Sequence, residues 1–96
     1  MTRYLSLLTF TDQGIRDVKQ TITRAEAFQG AVEAAGGKVL SQYWAVGDAD
    51  GCVIFEAPDD STASALLLSL GHKCNVRTKS MRVYDAKEFE SVLKKA

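Results

Sequence analysis

Apolar and polar positions divide the chain into short apolar runs separated by longer amphipathic segments. The run from Tyr4 to Phe10 is too short for a helix and predicts a strand. Lys38 to Val46 alternates in part and is rich in residues that favour strands, and Asn75 to Tyr84 interleaves polar with apolar side chains. Cys52 to Phe55 is continuously apolar, which is typical of a strand covered on both faces. The pattern therefore predicts four strands.

Capping residues and helical spacing predict a first helix between the first two strands. Thr11 or Asp12 can accept hydrogen bonds from the free N–H groups at its start, and Gly36-Gly37 can end it in a left-handed conformation. The predicted apolar stripe of this helix is Ile15, Val18, Ile22, Ala25 and Val32.

Two further helices follow the third and fourth strands. Ser61 to Leu70 is predicted to be helical, capped by one of the two preceding aspartates and ended by Gly71. Asp85 followed by Glu88 predicts a capping box for a last helix that runs through Lys95. The apolar stripe of this last helix is Phe89, Val92 and Leu93.

The predicted order is β-α-β-β-α-β-α in a single domain over residues 1–96. The first six elements form the split βαβ arrangement of ferredoxin-like α+β proteins, with one extra C-terminal helix and a four-stranded antiparallel sheet. In that topology strands one and three are central. This agrees with the sequence, because those two strands are the most continuously apolar.

Both faces of the predicted sheet are apolar, although helices cover only one of them. Leu5 and Leu7 alternate with Tyr4, Leu8 and Phe10, and Cys52 and Ile54 alternate with Val53 and Phe55. A second apolar face needs a partner. We therefore expect a homodimer or a higher homo-oligomer.

Charge and composition narrow the classes of partner and the compartment. Twelve basic and twelve acidic residues cancel, which removes the excess positive charge that binding to nucleic acid or to a membrane surface needs. No apolar run is long enough to span a membrane, and no signal-peptide pattern is present, so a cytoplasmic location is expected. Two cysteines are too few for a disulfide framework.

The segment YWAVGDADGCVIFE, residues 43–56, places two aspartates between two predicted strands. A calcium loop built on Asp48 and Asp50 would have Val46 and Ala57 at its anchoring positions, so no metal site is predicted. The two aspartates could form a catalytic carboxylate pair. The simpler hypothesis is a type I turn in which Gly51 supplies a positive φ and a bulge.

The chain contains three distinctive segments, LTFTDQGIRDVKQTITRAEAF, YWAVGDADGCVIFEAPDD and LGHKCNVRTKSMRVYDAKEFE. Together they resemble the GYD-domain family. Gly47 and Asp50 match the glycine and the aspartate of the family's motif at the hairpin, and Ala49 stands where a tyrosine is usual, so this chain lacks that ring and hydroxyl. The resemblance implies a ferredoxin-like fold of the dimeric α+β-barrel type, in a family without an established biochemical activity.

Two groups of polar residues near the fourth strand are candidate sites. On an extended segment His72 and Cys74 would point the same way, so the imidazole could activate the thiol or both could bind a soft metal, although a plain connector is the simpler hypothesis. Asn75 and Arg77 could hold a carboxylate or phosphate. The alternatives for Arg77 are protection of an edge strand and pairing with the acidic loop residues, within or between subunits.

Tyr43 and Trp44 are predicted to lie on opposite faces of the second strand. One of them could line a cavity for a small anionic or aromatic ligand between the sheet and a helix. Packing alone is the competing hypothesis.

Three functions remain open on the sequence, and no cofactor is indicated. The first is a non-enzymatic module that binds a small molecule or an anion, or that regulates. The second is a small cofactor-free or haem-handling enzyme, which rests on fold analogy and needs His72 or Asp50 as a base facing a cavity. The third is an RNA binder that stacks bases on Phe10 and Phe55, against which Glu56 and the acidic loop argue.

Overall fold

The sheet is four-stranded and antiparallel, in a computed structural model that describes residues 1–96. Its strands are β1 (Thr2–Phe10), β2 (Lys38–Trp44), β3 (Gly51–Ala57) and β4 (Val76–Val83). They lie in the order β2-β3-β1-β4. β1 and β3 are therefore central, and the predicted ferredoxin-like α+β fold is confirmed.

Four helices accompany the sheet. They are α1 (Asp12–Arg16), α2 (Thr21–Ala34), α3 (Asp60–His72) and α4 (Ala86–Lys95), with a 3₁₀ turn at Val18–Gln20. None of them combines the length and the apolar character that a membrane-spanning segment needs.

The prediction of one continuous first helix is wrong, because the chain leaves the helical conformation at Asp17 (φ −105°, ψ 33°). This break changes which side chains are buried. Ile15 and Ile22, expected in the apolar stripe, are 52% and 60% exposed, whereas Val32, also expected there, is fully buried. Phe28, which was not expected in the stripe, is 5% exposed. The buried face of α2 therefore follows the i, i+4 spacing of Phe28 and Val32 and does not continue the register of α1.

Local capping signals are confirmed more fully than the helix ends. The side chains of Thr11, Asp59 and Asp85 each accept a hydrogen bond from the backbone N–H three residues later, and Asp85 is part of a complete capping box. Gly36, with φ +88°, follows α2 as predicted. Gly71 does not end α3, because that helix continues through His72.

The core lies between one face of the sheet and helices α2 and α3. Phe55 is fully buried at its centre, with its ring edge-on to Phe28 and stacked on Tyr4. The other fully or nearly buried apolar residues are Val32, Val53, Ala57 and Ala63. Phe55 on β3, and Tyr4 and Phe10 on β1, face the helices. Their aromatic rings therefore do not lie on the open face of the sheet.

The opposite face of the sheet, which we call the bare face, is apolar and has no helix packed over its centre. Leu5 pairs with Ile54 on one side and Met81 on the other. Leu7 and Met81 are 37% and 49% exposed. The two apolar faces predicted from the alternation are therefore present.

A cluster of charges on the bare face joins β1, β3 and α4 around Arg3. The guanidinium of Arg3 lies 2.7 Å from Glu88, 3.1 Å from Glu56 and 3.9 Å from Asp85. The hydrogen bond that the carboxylate of Glu88 accepts from the backbone N–H of Asp85 holds the pKa of Glu88 below its usual value, and the guanidinium of Arg3 adds to this effect. These contacts fix the start of α4, which buries no residue of its own.

Candidate functional site

A cavity of about 100 Å³ lies between the helix-covered face of the sheet and α2, and the loop between α3 and β4 borders it. Side chains from β1, β3, α2, α3 and β4 form its apolar wall. They include Leu8, Phe10, Phe28, Val53, Leu70 and Val76. The polar residues of the lining are Thr21, Arg24, Gln42, Asp50, Lys73 and Asn75. Such a cavity, apolar with a few convergent polar groups, is the usual form of a small-molecule site.

Trp44 stands at the edge of this cavity on β2. Its indole Nε1 donates a hydrogen bond to the hydroxyl of Thr21, at 3.0 Å, and so ties β2 to the first turn of α2. Trp44 pairs with Gly51 of β3. A Cβ at Gly51 would lie 2.8 Å from the carbonyl oxygen of Tyr43, so glycine allows the two strands to approach here.

Asp50 makes three hydrogen bonds, and two of them fix it to the end of β1. Its backbone N–H donates to the carbonyl of Leu8 (2.8 Å) and its carbonyl accepts from Ala45 (2.9 Å). Its carboxylate Oδ2 accepts from the N–H of Phe10 (2.8 Å). The aspartate of the hairpin therefore lines the cavity with a carboxylate that is held by the backbone of a central strand.

The predicted geometry of the hairpin turn is wrong. Gly36 is the only glycine with a positive φ, so Gly51 supplies neither the left-handed conformation nor the bulge expected of it. Residues 45–50 form a bent connection without a hydrogen-bonded turn. Gly47, which matches the family motif, is exposed, and a Cβ there would meet no atom within 4 Å. Nothing in the structure explains a need for glycine at this position.

Arg24 on α2 is the cavity residue that the sequence analysis missed. Its Nη2 donates to the carbonyl oxygens of Gly14 (3.2 Å) and Asp17 (3.0 Å) and so bridges the break between α1 and α2. Its Nη1 is buried and has no hydrogen-bond partner. Arg24 lies four residues before Phe28 and eight before Val32, on the buried face of the helix, and that spacing was the signal in the sequence.

Asn75 lies beside the cavity because α1 packs tightly on its backbone. Its carbonyl accepts from the N–H of Thr11 (3.1 Å), and its side-chain oxygen accepts from the amide of Gln13 (3.1 Å). Gly14 is buried against the same residue, and a Cβ at Gly14 would lie only 1.9 Å from the carbonyl oxygen of Asn75. The short α1 thus positions the loop that borders the cavity.

His72 and Arg77 lie outside this cavity. They line an open groove between α3 and β4 together with exposed Leu68. Arg77 has no carboxylate within 4 Å in the chain, because every salt bridge involves Arg3. The sequence-derived candidates therefore separate, with Trp44, Asp50 and Asn75 at the cavity and these two elsewhere.

The expected parallel arrangement of His72 and Cys74 is wrong. His72 is the last residue of α3 and Cys74 has φ 66°, so the segment is not extended. The thiol of Cys74 donates to the backbone carbonyl of His72 at 3.3 Å. No group of three or more His, Cys, Asp or Glu side chains is arranged to hold a metal ion.

Solved structures share this fold at low sequence identity. A mutant of Rv3291c superposes with a TM-score of 0.68 at 16% identity, over 90% of this chain and 52% of that one. The leucine response regulatory protein LrpA of Mycobacterium tuberculosis gives 0.57 at 16% identity, over 88% of this chain and 51% of that one. TTHA0845 of Thermus thermophilus gives 0.57 at 16% identity, over 90% of this chain and 96% of that one.

These likenesses differ in extent. The chain spans about half the length of Rv3291c and of LrpA, but it corresponds to nearly all of TTHA0845. At such identities they show the fold alone. No curated protein sequence matches the chain. The profile of the GYD domain matches residues 4–93, and the chain therefore belongs to the GYD domain family.

Proposed function

We propose that this protein is a non-enzymatic binding module that holds the anionic group of a small molecule beside Arg24. The observation that carries the proposal is Arg24, which lines a largely apolar cavity and whose buried Nη1 has no hydrogen-bond partner. Leaving such a donor unsatisfied costs about 1–3 kcal/mol, and more for a charged group. An oxygen of a bound anion would remove that cost, and a carboxylate matches the guanidinium geometry best.

The size and walls of the cavity limit the rest of the ligand. An apolar cavity of about 150 Å³ is large enough for benzene, and this one measures about 100 Å³. The enclosed part of the ligand is therefore a short aliphatic group. It would replace water against Leu8, Phe28 and Val53.

Binding is favoured over catalysis because the cavity has few acid–base groups. Its lining contains no histidine or cysteine, and the carboxylate of Asp50 already accepts a hydrogen bond from the Phe10 N–H. Lys73 is exposed in the loop at the border. Of the two bases expected for a small enzyme of the dimeric α+β-barrel kind, His72 and Asp50, only Asp50 lines the cavity.

We also propose that the protein associates with itself through the bare face, in the cytoplasm. Leu5, Leu7, Ile54 and Met81 supply the apolar surface. One protein with this fold is, by its name, a response regulatory protein, which supports a regulatory role for a ligand-binding module of this kind. Light scattering after size exclusion at micromolar concentration should give the mass of a dimer or larger, and a clean monomer would contradict this part.

Titration with small carboxylates tests the ligand site. Trp44 is the one tryptophan and lines the cavity, so its fluorescence should change as butyrate or propionate binds, and the melting temperature should rise. Arg24→Gln should abolish both responses. Arg77→Gln, which removes the same charge on an edge strand outside the cavity, is the matched control and should retain them.

Two outcomes would contradict the proposal that the anion binds at Arg24. If Arg77→Gln removes the response and Arg24→Gln does not, the anion binds in the groove between α3 and β4 instead. If Arg24→Gln loses its helical circular dichroism, Ala25→Leu replaces it, because Ala25 lines the same cavity and a larger side chain would fill it. Carboxylate binding that survives in folded Ala25→Leu protein would contradict the proposal.

A further inference from the structure

We infer that the ligand of this cavity is a zwitterion of the α-amino-acid class, with its carboxylate at Arg24 and its ammonium group at Asp50. This inference rests on the proposed function and names the class of ligand. It begins from two opposite charges, Arg24 and Asp50, that line one small cavity.

These two charges do not pair with each other or with any other side chain. Every salt bridge in the protein belongs to Arg3, so neither Arg24 nor Asp50 has an oppositely charged partner within 4 Å. Unpaired charges beside an apolar cavity are unfavourable, because desolvation penalises each one. The cavity therefore contains a positive and a negative position whose charges lack counterparts within the chain.

The backbone holds both groups in place. Arg24 is anchored through Nη2 to the carbonyl oxygens of Gly14 and Asp17, which leaves Nη1 free. Asp50 is anchored through Oδ2 to the N–H of Phe10, and no hydrogen bond within the chain uses its Oδ1. Each group thus keeps one polar atom for another partner, and neither can readily swing toward the other. Such preorganisation lowers the cost of binding.

A ligand with both charges suits this arrangement better than one with a single charge. A monocarboxylate would gain at Arg24 and be repelled by Asp50, and a primary amine would gain at Asp50 and be repelled by Arg24. A zwitterion meets both groups favourably. Lys73 also lines the cavity, but it is exposed in the bordering loop, where solvent and salt screen its charge.

The apolar wall accounts for the rest of the molecule. Leu8, Phe28 and Val53 line the same cavity with hydrocarbon, and the volume of about 100 Å³ restricts the side chain to a short aliphatic group. The class is therefore an amino acid with a small apolar side chain.

Three probes of nearly equal size test the inference: L-2-aminobutyrate, butyrate and 1-aminopropane. Binding to the full chain is followed by Trp44 fluorescence and by calorimetry. We expect the zwitterion to bind about tenfold or more tightly than either singly charged probe, since one additional charge contact is worth about a factor of ten. Butyrate that binds as tightly as 2-aminobutyrate would overturn the inference and leave the proposed anion site intact.

Asp50→Asn gives the sharper result, because its amide oxygen can still accept from the Phe10 N–H while the charge is lost. The affinity for 2-aminobutyrate should fall about tenfold and the affinity for butyrate should rise. The preference for 2-aminobutyrate over butyrate should therefore become smaller or reverse. Asp48→Asn is the matched control, since Asp48 is exposed in the same loop and does not line the cavity. An unchanged preference in Asp50→Asn would overturn the inference.

Failure of the proposed function has a different signature. If neither butyrate nor 2-aminobutyrate binds to the unaltered protein, the cavity is not an anion site at all. Should Asp50→Asn prove unfolded, the ratio of affinities in the unaltered protein still decides between a zwitterion and a simple carboxylate.

Discussion

Two arginines in this protein have opposite surroundings. Arg3, on the bare face, lies within 4 Å of three carboxylates that join β1, β3 and α4. Arg24, at the cavity, lies within 4 Å of none and keeps one buried nitrogen without a partner. A side chain whose donors are satisfied within the chain stabilises structure. One whose donors are held in place but left unsatisfied is available to a ligand.

The two sites also differ in how they are anchored. Arg3 is held by other charged side chains, which salt screens and protonation weakens. Arg24 is held by the backbone carbonyls of Gly14 and Asp17, which neither salt nor pH alters. We therefore expect the Arg3 cluster to respond to solution conditions and the geometry at Arg24 to respond to packing.

The largest effect should come from Gly14→Ala, which disturbs the anchor of Arg24. The new Cβ would lie 1.9 Å from the carbonyl oxygen of Asn75, a contact that only movement of α1 can relieve. Overpacking of this kind costs about 1–3 kcal/mol or more, and the moved carbonyl of Gly14 would release Arg24. The change is measured as a lower free energy of unfolding in urea, together with weaker ligand binding.

Gly30→Ala is the control for that change. Gly30 is exposed in the middle of α2, and a Cβ there would meet no atom within 4 Å. Alanine should stabilise the protein by about 0.5–1 kcal/mol through helix propensity. Equal losses of stability in the two variants would show that Gly14 has no special role in packing.

A smaller loss of stability is expected from Arg3→Gln, which makes at Arg3 the same substitution that Arg24→Gln makes at the cavity. Loss of the guanidinium removes the ion pairs of Arg3 with Glu56 and Glu88. The start of α4 should therefore fray, and the backbone amides of α4 should exchange faster with solvent. Ligand binding should be unchanged, because Arg3 does not line the cavity. Hydrogen exchange and Trp44 titration measure the two responses separately. Arg3→Gln protein that loses the ligand response would contradict the division between the two arginines.

The local signals in the sequence predicted most of the fold. Short apolar runs and partial alternation identified the strands, and Thr11, Asp59 and Asp85 identified three caps, because a cap depends on a residue and the one three positions later. The split βαβ order then placed β1 and β3 at the centre of the sheet. Nothing local marks the break at Asp17, and α1 before it is held by a contact between Gln13 and Asn75, 62 residues apart.

The candidate site was less predictable for the same reason. Trp44, Asp50 and Asn75 could be nominated individually, but their convergence depends on pairing between distant strands. Arg24 was missed because the predicted stripe continued across a helix break that the sequence does not show. His72 was placed on an extended segment because Gly71 resembles a helix end, yet α3 continues past it.

The smallest effect, and the one most specific to the Arg3 cluster, is expected from acid. The pKa of Glu88 lies below its ordinary value of 4.5, mainly because its carboxylate accepts from the Asp85 N–H and also because it faces Arg3. The folded state therefore binds fewer protons than the unfolded state near and below that pH. The stabilisation is complete above about pH 4.5 and is lost as the pH falls through the lowered pKa.

Glu88→Gln isolates this contribution. The variant should be less stable than the unaltered protein at neutral pH, and it should lose less stability between neutral pH and about pH 3, because the ionisable group is gone. Urea unfolding at several pH values, followed by circular dichroism, measures both differences. Glu90→Gln is the matched control on the same helix, since Glu90 is exposed and forms no salt bridge. If Glu90→Gln shows the same acid response as Glu88→Gln, the helix responds to its general charge, and the Arg3 cluster is not what anchors it.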